Sequence, residues 1–363
     1  RILLVEPYDT GSHGAWMRGY QAHSAHQVTI LSLPGHFWKW RMHGGAVTLA
    51  RHLLAADLRP DLILASDMLD LTTFLALTRT RSAGIPVALY FHENQLTYPI
   101  GPRQRKDLHY HLGFINYVSA LAANAVFFNS VFHLEAFFAE LPRLLKHYPD
   151  YTELETIPLL RAKSSVLTLG MDLRRFDALR PQSPRTGPPL IVWNHRWEFD
   201  KNPRPFLQAL VRLAGEGADF QVALLGENVR QEPEEFAAAR DQLGNRVIQY
   251  GYTAQFEDYA RLLWQADAQV STARQDFFGI STCEAIYCGC VPLLVNRLNY
   301  PALVPPAYHD RYLFRDGKLY GRLRDWLTNP VPAPLALREY VSRFDWSVQA
   351  ARYDAAFATL ATG

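Results

Sequence analysis

Asp276-Phe-Phe-Gly-Ile-Ser-Thr-Cys-Glu-Ala-Ile-Tyr-Cys-Gly-Cys-Val-Pro292 runs from a loop acid into a helical pattern and out again towards a strand. It follows the apolar run Ala268–Ser271, turns at Gly279, and stops at Gly289 before a second run, Val291–Val295. Strand, helix, strand in that order is the repeating unit of a parallel sheet. Similar runs recur upstream at Leu190–Trp193, Gln221–Leu225 and Val247–Tyr250. An earlier set lies at Ile2–Val5, Val28–Leu33, Leu62–Ala65, Val87–Phe91, Ala125–Phe128 and Val166–Leu169. None alternates polar with apolar residues, so each reads as a strand buried on both faces. The pattern implies an α/β chain of two doubly wound domains. Between the two sets lies Leu179-Arg-Pro-Gln-Ser-Pro-Arg-Thr-Gly-Pro-Pro189, which can continue neither helix nor central strand. The expected domains are therefore 1–178 and 190–363, facing a cleft. The helical pattern Trp346–Leu360 is expected to pack back on the first domain.

The 363 residues balance 37 Lys+Arg against 35 Asp+Glu, with 48% hydrophobic residues. A net charge of +2 excludes purely electrostatic, histone-like binding. Three cysteines make no disulfide framework and suit a reducing, cytoplasmic compartment. No apolar run reaches the ~18–20 residues of a membrane span, and Arg1–Glu6 is too short and too soon charged for a signal peptide. The charge is uneven. Residues 1–176 hold 17 Lys/Arg, 14 Asp/Glu and 11 of the 13 histidines, so this half is expected to meet the anionic partner.

Asp276 and Glu284 set two carboxylates around the free N–H groups at a helix start, where sugar hydroxyls and phosphates bind. A loop acid plus a dipole-stabilising Glu is the plain alternative. Arg196 and Lys201 are five apart on one strand-to-helix loop and can reach one diphosphate, whose leaving charge fixed cations stabilise. Trp193 and Trp197 beside them read equally well as core. Gly226-Glu227 adds a flexible turn at the same edge. In the first half, Gly11, Ser12, His13 and Gly14 close the first strand without a full dinucleotide fingerprint. His92, Glu93, Asn94 and Gln95 follow an apolar strand in a row and read as a site that orients an acceptor or a transferred sugar. Phe37-Trp-Lys-Trp-Arg41 interleaves rings with cations, and Arg103, Arg105 and Lys106 form a second cluster, the pattern of RNA contact. The plain alternatives are strong: Trp38 and Trp40 alternate like one face of a buried segment, and Arg/Lys clusters are usually just solvated. Cys283, Cys288 and Cys290, like His109 and His111, fall short of a zinc site, and no metal is expected.

The Asp276…Glu284 segment resembles the acid-x7-Glu signature of retaining glycosyltransferases of family four. That family has the GT-B fold, two Rossmann-like domains facing a cleft. By resemblance, Glu284 takes the donor ribose, Arg196 and Lys201 the pyrophosphate, and Asp276 with Phe277, Phe278, Gly279 and Ile280 the transferred sugar. Gly11, Ser12, His13, Gly226 and Glu227 complete the implied donor contacts. His92, Asp276, Arg196 and Lys201 are the implied catalytic set. The chain departs from the family in having Asp276 where Glu is usual. Gly11-Ser-His-Gly14, Trp38-Lys-Trp-Arg41, Phe91-His-Glu-Asn-Gln-Leu-Thr-Tyr-Pro99 and Phe128-Asn-Ser-Val-Phe132 are similar to tRNA-queuosine mannosyltransferases. So are His195-Arg-Trp197, Asp276-Phe-Phe-Gly279 and Tyr287-Cys-Gly-Cys290. That resemblance implies a GDP-mannose donor and queuosine in a tRNA anticodon as acceptor, with Trp38, Lys39, Trp40, Arg41, Glu93, Asn94, Gln95, Arg103, Arg105 and Lys106 on the acceptor side. It implies no cofactor, no divalent metal and no membrane insertion. Two rivals stand beside it: a GT-B enzyme with a lipid or polysaccharide acceptor, and a non-catalytic tRNA- or sugar-nucleotide-binding module.

Overall fold

In the computed structural model, which describes residues 1–99, 106–147, 149–183, 185–226 and 233–362, the apolar runs become strands of two parallel sheets. The first sheet holds β1 (Ile2–Asp9), β2 (Val28–Pro34), β3 (Leu62–Ser66), β4 (Val87–Phe91), β5 (Ala125–Phe128) and β6 (Ser164–Val166), in the order β2-β1-β3-β4-β5-β6. The second holds β7 (Leu190–Asn194), β8 (Gln221–Leu225), β9 (Val247–Gly251), β10 (Ala268–Ser271), β11 (Val291–Val295) and β12 (Leu313–Phe314), in the order β12-β11-β10-β7-β8-β9. β3, β4, β7, β10 and β11 are buried at every position, which is why all but β10, with its buried Gln269 and Ser271, read as largely apolar runs.

The strand order fixes where ligands go. In the second sheet the chain runs from β7 outward to β9, then returns to the other side of β7 as β10, in register with Ala268 opposite Ile191. The order reverses between β7 and β10, the usual ligand position of an open α/β sheet. In the first sheet the reversal lies between β1 and β3, paired with Val5 opposite Ala65. β6 corrects the expected strand at 166–169: the short Ser-Ser-Val segment pairs with β5, and Leu167 N closes the edge on Phe128 O at 3.0 Å.

The chain divides into two units, Arg1–Asp172 with Phe344–Gly363, and Leu173–Arg343. The boundary is therefore not the proline-rich stretch. Residues 174–179 form a 3-10 helix of the second unit, where Phe176 packs on Phe256 at 4.9 Å and its carbonyl accepts from Trp264 Nε1 at 2.8 Å. The prolines themselves are tied down, with Arg185 donating to Pro188 O at 2.6 Å.

The final helix, Trp346–Thr362, belongs to the first unit. Trp346 lies so close over Gly19 and Gly170 that a Cβ on either would fall within 2.0 and 2.4 Å of the indole. Tyr353 OH donates to Tyr90 OH (2.8 Å), which donates to Leu167 O (3.0 Å), while Trp16 Nε1 donates to Tyr353 OH at 3.2 Å. Each buried hydroxyl thus passes its proton onward and none is left unmet. Asp354 accepts from Tyr20 OH, Ser24 Oγ and Ala25 N, fastening the helix to residues 20–25. Among the described residues, no helix is long and apolar enough to cross a membrane.

Candidate active site

In the second unit, the loop after β7 and the loop after β10 are bound to each other. Lys201 Nζ donates to Gln275 O at 2.8 Å and lies 3.8 Å from Asp276 Oδ2 and 3.5 Å from Asp200 Oδ2. Asp200, almost fully buried, has no hydrogen-bond partner on either oxygen among the described residues, and Lys201 is the cation beside it. Asp276 is aimed by its own loop and by Tyr300: Oδ1 accepts from Phe278 N (3.4 Å), Oδ2 from Tyr300 OH (3.2 Å). Asn299 Nδ2 holds Phe278 O at 2.8 Å. Gly279 has φ +100° at the helix start, and a Cβ there would come within 2.8 Å of Leu303. Only glycine suits that turn.

Glu284 sits on the second turn of the helix Ile280–Tyr287, its side chain 15% exposed. Tyr259 OH donates to Oε2 at 2.7 Å, and Arg175 lies 3.7 Å from Oε1. Burial raises the Glu284 pKa, and these two partners pull it back. His195 is buried between the loops, with burial first and Lys201 second lowering its pKa to about 3. It is neutral: Nε2 accepts from Gln269 Nε2 and Nδ1 donates to Ser281 Oγ, both at 3.3 Å. Arg196 is half-exposed and pairs with Glu198 at 3.4 Å. Trp193 and Trp197 are core, stacked on Phe206 and Phe236. Gly226, φ +151°, lets β8 press against the same loop, since a Cβ there would lie 2.0 Å from His195 O.

In the first unit the site residues are sealed. Glu6 is fully buried, accepting from Tyr8 N (2.9 Å) and pairing with His13 Nδ1 (3.0 Å). Burial by itself lowers the His13 pKa, but Glu6, with Asp67 and Glu93 behind it, outweighs burial and raises it to about 9. The His13 ring meets His92 at 4.4 Å, and His92 also lies edge-on to Trp16 at 4.5 Å. His92 N donates to Asp67 Oδ1 (2.8 Å) and its carbonyl accepts from Asn129 Nδ2 (2.8 Å). Burial, then the His13 charge, holds the His92 imidazole far below its ordinary pKa, so it is neutral. Among the described residues, its Nε2 and Asp67 Oδ2 are buried without hydrogen-bond partners. Ser12 is exposed on the first turn of the helix Gly11–His23.

Other expected contact residues also bond or pack within the first unit. Asn94 Oδ1 accepts from Leu96 N (3.0 Å) and Thr97 N (2.9 Å), and Gln95 N donates to Asn116 Oδ1 (2.8 Å) while its amide holds Glu93. Both side chains are buried behind the loop surface. Arg41 caps Pro34 O through two nitrogens, at 3.1 and 3.0 Å, and Trp38 packs on the Met42–Met68–Leu112–Ile115 cluster. Arg103, Arg105 and Glu227, with the Lys106 and His109 side chains, lie outside the described residues. Cys283, Cys288 and Cys290 are free and buried, with burial raising all three pKa values. Among the described residues, one group has metal-ligand spacing: Glu6, His13 and His92, whose ligand atoms fall within 4.8 Å. Within that group His13 already pairs with Glu6 at 3.0 Å, and a metal bound there would have to displace the His13 proton.

Residues 175–343, which carry the Lys201–Asp276–Glu284 arrangement, match a family model of glycosyl transferases group 1. Residues 1–171 match the N-terminal model of tRNA-queuosine alpha-mannosyltransferases. A tRNA-queuosine alpha-mannosyltransferase from Drosophila melanogaster is 34% identical over 316 residues, covering 84% of this chain and 81% of that one. The chain is a member of the tRNA-queuosine alpha-mannosyltransferase family. It is a glycosyltransferase, and the two matched spans adjoin near the unit boundary at residues 172–173, leaving the final helix outside both. Solved structures share its GT-B fold at lower identity. Sucrose-phosphate synthase from Thermosynechococcus elongatus superposes with a TM-score of 0.72 at 14% identity, covering 99% of both chains. A trehalose-phosphate synthase from Burkholderia xenovorans, in complex with glucose-6-phosphate, gives 0.69 at 11%, covering 99% of this chain and 100% of that one. Within this mannosyltransferase family member, the residues not singled out from sequence are Glu6 and Asp67 in the first unit, and Arg175, Asp200, Tyr259 and Tyr300 in the second. Glu6 carried a signal, a carboxylate ending an otherwise apolar strand run. Tyr259 and Tyr300 carried none.

Proposed function

We propose that this glycosyltransferase moves mannose from GDP-mannose to queuosine in a tRNA anticodon, with retention of configuration. The observation that carries the acceptor is the match of its first unit to the N-terminal half of that family. Lys201, held by Gln275 O against Asp276, is the fixed cation for the diphosphate, with half-exposed Arg196 as its companion. Glu284 receives the ribose hydroxyls and Asp276 the sugar. The mannosyl C1–O bond to the diphosphate breaks through an oxocarbenium-like state. A new C1–O bond forms on the same face as a queuosine hydroxyl attacks, and the leaving phosphate oxygen takes that hydroxyl's proton. Neutral His92 hydrogen-bonds the transferred sugar. The sequence has no Asp-x-Asp pair for a donor-bound metal, and the reaction needs none on this reading.

The test is incubation with GDP-mannose and queuosine-containing tRNA, digestion to nucleosides and mass spectrometry. A hexose increment on queuosine is expected, at a rate unchanged by chelator. No increment, with efficient transfer to a lipid or polysaccharide, overturns the acceptor. Activity lost to chelator and restored by manganese overturns the metal-free mechanism.

A further inference from the structure

We propose that the start of the helix Trp38–Ala55 is a stacking platform for unpaired RNA bases, extended onto the helix Lys106–Ala122 by two stacked imidazoles. It rests on the tRNA reading above and assigns how the strand is held. Phe37 is 84% exposed and Trp40 64%. Trp40 N and Arg41 N donate to Phe37 O at 2.7 and 3.1 Å, so Phe37, Trp40 and His43 follow one another up one face. The Trp40 indole lies down on the helix: a Cβ on Gly44 would be 2.7 Å from its ring, so glycine is what lets it rest there. His43 then stacks on His111, with centroids 4.7 Å apart, planes 9° from parallel and Nδ1 to Nε2 at 3.2 Å. Phe114, half-exposed, follows one turn beyond His111. Five rings thus line a surface spanning two helices, while Trp38 beside them faces the core.

Charge selects the occupant. From Thr10 to Ala56 the sequence has no Asp or Glu, yet the helix Trp38–Ala55 carries Lys39, Arg41, Arg51 and two histidines. An apolar protein partner accounts for the rings but not for a stretch purged of acids. A single RNA strand accounts for both, with bases on the π-faces and phosphates beside the cations. Stacking needs no particular base edge, so the platform holds the strand without reading it.

The experiment compares oligoadenylate and oligouridylate of one length, binding to the full chain by fluorescence anisotropy. Wild type is expected to prefer oligoadenylate, whose bases stack more strongly. Phe37→Ala/Trp40→Ala should weaken oligoadenylate roughly 10- to 100-fold, erase the preference, and leave the slope of log affinity against log salt unchanged, because no cation is lost. Gly44→Ala, which lifts the indole, should weaken it several-fold with the same melting temperature. No preference in wild type, or unchanged binding in the double variant, overturns the platform even if queuosine is mannosylated normally. Missing mannosylation with these binding effects intact overturns only the acceptor reading. A dimer that the double variant dissolves overturns the platform in favour of a second copy of this chain.

Discussion

The two units place charged residues at the same point of related sheets and treat them oppositely. The second sheet, read from β9 through β7 to β12, has the order of a dinucleotide-binding sheet; the first turns back after a single strand, as flavodoxin-like sheets do. At the reversal in the second, Lys201, Asp276 and Glu284 stay 12–17% exposed and Arg196 half-exposed. At the reversal in the first, Glu6, Asp67, His13 and His92 are almost wholly buried and compensate one another. A rimmed set of charges can grip an incoming anion; a sealed set can only fix the orientation and protonation of the one group it presents. On the proposed function, the second unit is therefore the one expected to bind the nucleotide, while the first holds His92 neutral and in place.

Removing the grip is the largest way to break that comparison. Lys201→Ala should lower the rate of transfer by roughly 10²–10³-fold, because a fixed cation on a leaving group contributes on that scale, while circular dichroism and melting stay near wild type. Next in size is the last helix. Trp346→Ala leaves a cavity under Gly19 and Gly170 and should destabilise the first unit by about 3–5 kcal/mol, read from denaturant unfolding.

The sealed cluster predicts a pH effect with a definite sign. The folded pKa of His13, about 9, lies above the ordinary 6.5. Its pairing with Glu6 therefore contributes stability that is complete below pH 6.5 and fades as pH rises through 9, on the order of 3 kcal/mol at most. Glu6→Gln should flatten unfolding free energy across that window. A wild-type protein equally stable at pH 6.5 and 9 contradicts the ion pair. The smallest expected effect is Asp276→Glu, the usual family residue: Tyr300 and Lys201 already hold the shorter acid, so transfer should change less than about tenfold.

Both sheets were legible because parallel strands buried on two faces leave unbroken apolar runs. β12, only Leu313–Phe314, is too short to leave one. Lys201, Asp276 and Glu284 were legible because loops after strands carry chemistry. Tyr300 and Tyr259 were not, since each reaches its carboxylate from another element and an isolated tyrosine has no spacing to read. Asn94 and Gln95 are ambiguous for a physical reason: an Asx turn and a liganding loop use the same residue types after a strand. The proline-rich 179–189 stretch misled similarly, because prolines exclude helix and central strand without preventing a segment from packing.

The division of labour is tested most directly by isothermal titration of GDP-mannose into Lys201→Ala and Glu6→Gln, paired with turnover of each. Lys201→Ala should lose donor affinity along with turnover, while Glu6→Gln binds the donor as wild type does and transfers slowly. Wild-type donor affinity in Lys201→Ala, with binding lost in Glu6→Gln, would contradict the assignment of nucleotide to the second unit and positioning to the first.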